Sequence, residues 1–314
     1  MFRFLTEPLD RWVMGAAAAS LPAGSEEHCA EQALAFMQQQ HFLTGHVEAP
    51  PDFSFFTSLE FRFASAVATP WPENNTVYGR FYRAGPAWRD RPSIVLLHGW
   101  NGELGYYWQF PWLAWRLVRA GINVAMLELP YHARRRPQQN GATQNFISHN
   151  LHRMAEATHQ ATSDIRAVMA WLREQASPSV GLWGISLGAW LGGLVCCHEP
   201  ATRFAVLMSP VVRMDRAVEE LPFCAPVRRS LEQAEVSLET FNLVSHRPVA
   251  GLKNILIIES KFDLFANAET IEELWRAWGK PEIWRLRHGH ISILVSPRVM
   301  ERTVCWVATH SGLT

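Results

Sequence analysis

The sequence predicts an α/β fold: a mostly parallel, twisted central sheet with helices on both faces, entered through antiparallel strands and interrupted by one late insertion. Three observations carry that expectation. From Pro92 onward, short apolar runs almost free of charge alternate with amphipathic stretches, as strands buried on both faces alternate with crossover helices. Before them stand two aromatic and β-branched segments, Phe55 to Ala64 and Thr76 to Arg83, joined by the Pro/Asn-rich link Pro70 to Asn75, which predict an antiparallel pair. The third is Val211 to Ala250, about 40 residues between two predicted strands and too long for an ordinary connection.

Composition narrows the partners. The chain has 314 residues, 48% hydrophobic and 18% charged, which is globular usage with enough apolar material for a sizeable core. Lys plus Arg and Asp plus Glu number 29 each, so the net charge gives no reason to expect nucleic acid or an anionic membrane as partner. A small or neutral substrate fits better, and the oligomeric state is left open. Five cysteines, Cys29, Cys196, Cys197, Cys224 and Cys305, form an odd set without CxxC spacing. That argues against a disulfide framework and a zinc site, and points to a reducing, cytoplasmic compartment. The apolar run Trp12 to Ala19 follows Glu7 and Asp10 and is shorter than a membrane span, so it predicts a short amphipathic helix and no transmembrane segment. Asn74-Asn75-Thr76 matches a glycosylation sequon, a pattern that arises often by chance.

In chain order, Ser25 is an N-cap candidate for a helix to about Gln40, with Ala30, Leu34 and Phe36 to Met37 as its stripe. After the antiparallel pair, the core strands are Ser93 to Leu97, Ile122 to Leu127, Val180 to Trp183, Phe204 to Met208, Asn254 to Ile258 and Ile283 to Leu286. Helices are expected near Phe110 to Arg119, Arg153 to Gln175, Leu187 to Cys197, Ala268 to Trp278 and Pro297 to Thr309. A segment leaving the carboxyl edge of a parallel sheet overhangs the place where such sheets bind ligands, so Val211 to Ala250 is expected to form a small helical lid.

The strongest chemical signal is Gly184-Ile185-Ser186-Leu187-Gly188, a G-x-S-x-G motif between a predicted strand and an apolar helix. A nucleophile on so tight a turn needs small flanking residues, because a Cβ there collides with the adjoining elements. The helix N-terminus behind it favours a developing negative charge. A serine is weakly nucleophilic at its own pKa, so a histidine must take its proton and a carboxylate must orient that histidine, both later in the chain.

With this motif in its strand-to-helix setting, the sequence resembles the α/β-hydrolase superfamily over about residues 55 to 312. Ser93-Ile94-Val95-Leu96-Leu97-His98-Gly99-Trp100, a buried strand ending in His-Gly, is similar to the superfamily's oxyanion loop. The resemblance implies that the backbone N–H groups of Trp100 and Leu187 form the oxyanion hole, with His98 a structural member of the loop. It also divides the chain into an N-terminal helical extension, 1–54, and a hydrolase domain, 55–314, with 211–250 as the lid. Asp263, 77 residues past Ser186, stands where the family's acid follows the penultimate strand; Glu259 and Asp215 are the alternatives. In Arg287-His288-Gly289-His290-Ile291, His290 matches the family's Gly-His signal as the base, with His288 as alternative.

Aromatic residues crowd the segment after the oxyanion loop. Phe110, Trp112 and Trp115 fit a helix's core stripe, whereas Trp100, Tyr106 and Tyr107 are candidates for an apolar substrate pocket. Arg134-Arg135-Arg136 is expected in a solvated loop. The expected function is a carboxylesterase-like serine hydrolase acting on small-molecule esters of small or medium apolar groups, with Ser186, His290 and Asp263 as catalytic residues and no cofactor or metal. The same three residues also serve peptidases, amidases, thioesterases and acyltransferases, and the early strands faintly resemble the prolyl-oligopeptidase-like branch. A non-catalytic ligand-binding relative is the alternative of another class. A dinucleotide site is disfavoured because no G-x-G-x-x-G follows a strand.

Overall fold

Among the described residues nine strands make one sheet, in the order β1-β2-β3-β5-β4-β8-β9-β10-β11. They belong to a computed structural model that describes residues 2–20, 43, 45–139, 142–143, 146–148, 150–234, 237–249 and 251–312. The helix expected over 25–40 lies outside these residues. β4 (Ser93–Leu97), β5 (Asn123–Leu127), β8 (Val180–Ile185), β9 (Thr202–Met208), β10 (Ile255–Ser260) and β11 (Glu282–Leu286) run parallel to one another. Five of them contain an expected core strand or lie within one, and β10 overlaps its expected strand, Asn254 to Ile258, starting one residue later and ending two later. Their apolar runs are buried on both faces: Val95 and Leu97 pack on one side, Ile94 and Leu96 on the other.

The antiparallel start differs in one respect from the expectation. Phe55 to Ala64 is a hairpin, β1 (Ser54–Phe55) folding onto β2 (Glu60–Ala64), which then pairs with β3 (Thr76–Tyr82). Thr57 causes the break: its Oγ1 accepts from the N–H groups of Leu59 and Glu60, giving the backbone a turn in place of a ladder. β6 (Gln138–Gln139) and β7 (Ala142–Thr143) form a separate small ladder.

Around the sheet lie α1 (Phe2–Ser20), α2 (Phe110–Arg119), α3 (Leu151–Glu174), α4 (Leu187–His198), α5 (Met214–Glu220), α6 (Ala225–Ala234), α7 (Ala268–Ala277), α8 (His290–Leu294) and α9 (Pro297–His310). The apolar run near the N-terminus is part of a longer helix than expected, α1. None of the described helices is long and apolar enough to cross a membrane. On α2 the expected stripe is only partly right. Phe110 is buried with Leu113, Ala114 and Leu117, while Trp112 and Trp115 face outward.

The insertion after β9 carries α5, a 3₁₀ turn at Pro222–Cys224, α6, and two further 3₁₀ turns at Glu239–Phe241 and Leu243–Ser245. Its second half is fastened to the body. Trp190 Nε1 donates to Phe241 O at 2.7 Å, and Trp278 Nε1 donates to Leu243 O and His246 O.

Candidate active site

The geometry starts with a strained residue. Ser186 sits between β8 and α4 at φ 53° and ψ −114°, a conformation that side-chain-bearing residues adopt at a cost of about 1–3 kcal/mol. Close packing holds it there. A Cβ on Gly184 would lie 2.1 Å from Gly188 O, and one on Gly188 would lie 2.3 Å from Leu97 O, so neither position admits a side chain. The Ser186 N–H donates to Met208 O at 2.9 Å, tying the turn to β9.

From there a hydrogen-bond chain crosses three loops. His290 Nε2 lies 2.9 Å from Ser186 Oγ, and His290 Nδ1 lies 2.8 Å from Asp263 Oδ2. His290 opens α8, after β11; Asp263 lies in the loop after β10, where its Oδ1 also accepts from Phe265 N and Ala266 N at 2.8 Å each. Both side chains are almost fully removed from water. Burial alone pushes the His290 pKa down, but the charge and hydrogen bond of Asp263, joined by the charge of Asp10, outweigh it. The imidazole therefore titrates above its ordinary value.

The alternatives stand elsewhere. Glu259 is buried on β10 and pairs with Arg285 Nε at 3.1 Å. Asp215 forms a two-point pair with Arg213 that holds its carboxyl down at about 2. His288 turns its Nδ1 to Ser292 Oγ at 3.2 Å. His98 is bonded to backbone on both sides, Nδ1 to Gly99 O of its own loop at 2.8 Å and Nε2 to the Leu129 N–H of the segment after β5 at 3.1 Å. That loop runs beside the serine: a Cβ on Gly99 would lie 3.4 Å from Ser186 Cβ. Leu187 is the first residue of α4, where backbone N–H groups have no intrahelical acceptor.

An apolar cavity of about 90 Å³ opens on Ser186. α3 and α4 form its floor, and the insertion roofs it through Val218, Leu221, Phe223 and Val227. Trp100 lines it as expected and stacks on Phe223, ring centroids 5.3 Å apart. Tyr106 and Tyr107 do not line it. Tyr106 is buried in the core layer on the opposite face of the sheet, beneath Arg80, and Tyr107 is exposed. The first ring of the run lies beside Ser186, whereas the turn Gly105–Gln109 carries the following tyrosines over the other face.

The basic run is also placed differently from the expectation. Arg135 is fully buried and pairs with Asp164 of α3 at 2.8 Å, while donating to Asn74 O and Glu128 O. Arg134 pairs with buried Glu128, and Arg136 with Glu103. Each of these charges finds a carboxylate, Arg134 six residues back and Arg135 and Arg136 at greater separations along the chain. Asn74 is itself buried and bonded to Gln160, which removes the sequon from the surface.

The sequence of residues 94–304 matches the model of the alpha/beta hydrolase family. The chain belongs to that family. Among curated proteins it is 30% identical over 231 residues to Rv2627c and to MT2702, uncharacterized proteins of two Mycobacterium tuberculosis strains. The alignments cover 71% of this chain and 55% of those proteins, so the chain spans about half the length of these curated relatives. Among solved structures it is similar to the Pyrococcus furiosus esterase Pf2001, with a TM-score of 0.54 and 16% identity, over 85% of this chain and 100% of that one. It is likewise similar to an acetyl xylan esterase from Paenibacillus sp. R4, with a TM-score of 0.56 and 15% identity, over 92% of this chain and 98% of that one. At such identities the likeness is one of fold, the alpha/beta hydrolase fold.

One residue at this alpha/beta hydrolase site had no sequence signal. Asp10 of α1 is completely buried, and its carboxylate accepts from His290 N at 2.8 Å, Ile291 N at 3.1 Å and Leu264 N at 3.4 Å. A contact across 280 positions leaves no local pattern to read.

Proposed function

We propose that this protein is a serine hydrolase that cleaves carboxylic esters with small to medium apolar acyl groups through an acyl-enzyme. The observation that carries this reading is the unbroken chain from Asp263 through His290 to Ser186 Oγ, ending at the mouth of an apolar cavity. Family membership and the esterases among its structural neighbours support it.

In this mechanism Ser186 Oγ attacks the ester carbonyl carbon as His290 Nε2 takes the hydroxyl proton. The tetrahedral oxyanion is met by the backbone N–H groups of Leu187 and Trp100, each worth roughly 3–4 kcal/mol if they resemble measured oxyanion contacts. Collapse breaks the bond to the alcohol, which leaves with the proton from His290. Water then attacks the acyl carbon as the same imidazole takes its proton, and collapse breaks the bond to Oγ, which recovers that proton from His290 as the acid leaves. Asp263 holds the ring's tautomer and stabilises the imidazolium in both halves. The acyl group occupies the cavity beneath the insertion, whose apolar lining offers nothing to a charged group.

The test is a series of p-nitrophenyl esters of rising acyl length, run beside a thioester and a peptide p-nitroanilide. The reading predicts ester cleavage that prefers short to medium chains. It also predicts a Ser186→Ala variant that melts like the wild type and has lost nearly all turnover. Full activity in Ser186→Ala, or anilide cleavage faster than ester cleavage, contradicts it.

A further inference from the structure

The N-terminal helix reaches the reacting histidine. α1 packs on α8 and on the 3₁₀ turn Pro222–Cys224 of the insertion, and so lies against both the histidine and the roof of the cavity. Asp10 is the polar centre of that contact. Its carboxylate, 0% exposed, receives N–H groups from both loops that carry the proposed base and acid: His290 and Ile291 from one, Leu264, the neighbour of Asp263, from the other. The fit is tight, since a Cβ on Gly289 would come within 2.9 Å of Asp10 Oδ2.

The geometry points to Asp10 as a positioning residue for the reaction: a second buried carboxylate that clamps the His290 and Asp263 loops together and fixes the imidazole between Ser186 and Asp263. The inference rests on the serine-hydrolase reading. Burial, aided by the nearby charge of Asp263, raises the Asp10 pKa despite the N–H groups of Ile291 and His290, so the fold keeps a carboxylate here against its solvation preference. Misplacement of a catalytic group by about 1 Å can cost two orders of magnitude in rate, so losing this clamp should be visible in turnover.

The charge contributes as well. The ionisable groups around His290 are Asp263, Asp10 and its loop neighbour His288. Along α1 the neighbours of Asp10 are Glu7 and Arg11, and the packed turn brings Cys224, whose thiol burial pushes up to about 12 and keeps uncharged. Asp263 and Asp10 both favour the imidazolium. Neutralising Asp10 therefore moves the acid limb of kcat/KM to lower pH, a change that simple loosening of α1 does not predict.

The experiment compares wild type, Asp10→Asn and Asp10→Ser, with Trp12→Ala on the exposed face of α1 as control. Its readouts are melting temperature, the rate of fluorophosphonate labelling at Ser186 across pH, and kcat and KM for a p-nitrophenyl ester. Two Asp10 variants are carried so that the result does not hang on the folding of one. The expected result is folded variants whose labelling rate and kcat fall about tenfold or more, with little change in KM and an acid limb moved down in pH. Trp12→Ala should match the wild type. Folded Asp10 variants with wild-type labelling, kcat and pH profile overturn the role of Asp10 alone. A wild type that forms no adduct at Ser186 overturns the hydrolase reading and this inference with it.

Discussion

His290 is the residue whose environment makes the sharpest prediction. Asp263 lies 2.8 Å from one ring nitrogen and Ser186 2.9 Å from the other, and the net effect of its surroundings raises its pKa. In the proposed mechanism the neutral ring is the form that accepts the serine's proton. Activity should therefore fall toward acid with a kcat/KM midpoint above the ordinary imidazole value of about 6.5. A pH–rate profile on a fast ester checks this, and a midpoint below that value, or a flat acid side, contradicts it. The same shift has a stability sign. A folded pKa above the unfolded one adds stability that is present at low pH and is lost as pH rises through the folded value.

The ion pair between Arg135 and Asp164 joins elements that have no local reason to meet. Arg135 follows β5, Asp164 lies in the middle of α3, and the Asn74 carbonyl that Arg135 also holds belongs to the turn before β3. Both charges are buried, so removing one partner leaves the other uncompensated in a low dielectric. Asp164→Ala should lower the unfolding free energy by about 3–5 kcal/mol in urea titrations, whereas Arg135→Met with Asp164→Leu should recover much of that loss. A single variant that loses less than about 1 kcal/mol, in the range of exposed pairs, would show that water screens this pair. Neither residue lines the cavity at Ser186, so loss of the pair should act through stability and leave the labelling chemistry of folded protein intact.

Much of the molecule was legible because the governing physics is local. From β4 to α9 the alternation of buried apolar runs and amphipathic helices gave the order of elements, and the α2 boundaries coincide with the expected ones. The turn that carries Ser186 was legible because a strained strand-to-helix turn of this tightness demands Gly184 and Gly188 beside it. What stayed hidden depends on partners far along the chain. Arg135 reads as solvated until α3 folds over it, Tyr106 crosses the sheet on a single turn of backbone, and Asp10 meets His290 only when both ends of the chain are in place. The aromatic run divides for the same reason: Trp100 lines the cavity, whereas Tyr106 packs in the core layer on the other face of the sheet.

The most direct test of an activated Ser186 is the intact mass of the folded protein after exposure to a fluorophosphonate, with Ser186→Ala treated in parallel. This probe needs only a serine whose proton has somewhere to go, and it assumes nothing about the natural ester. A single adduct on the wild type that is absent from the variant is the predicted result. An unmodified wild type, or an adduct that persists in Ser186→Ala, would contradict it.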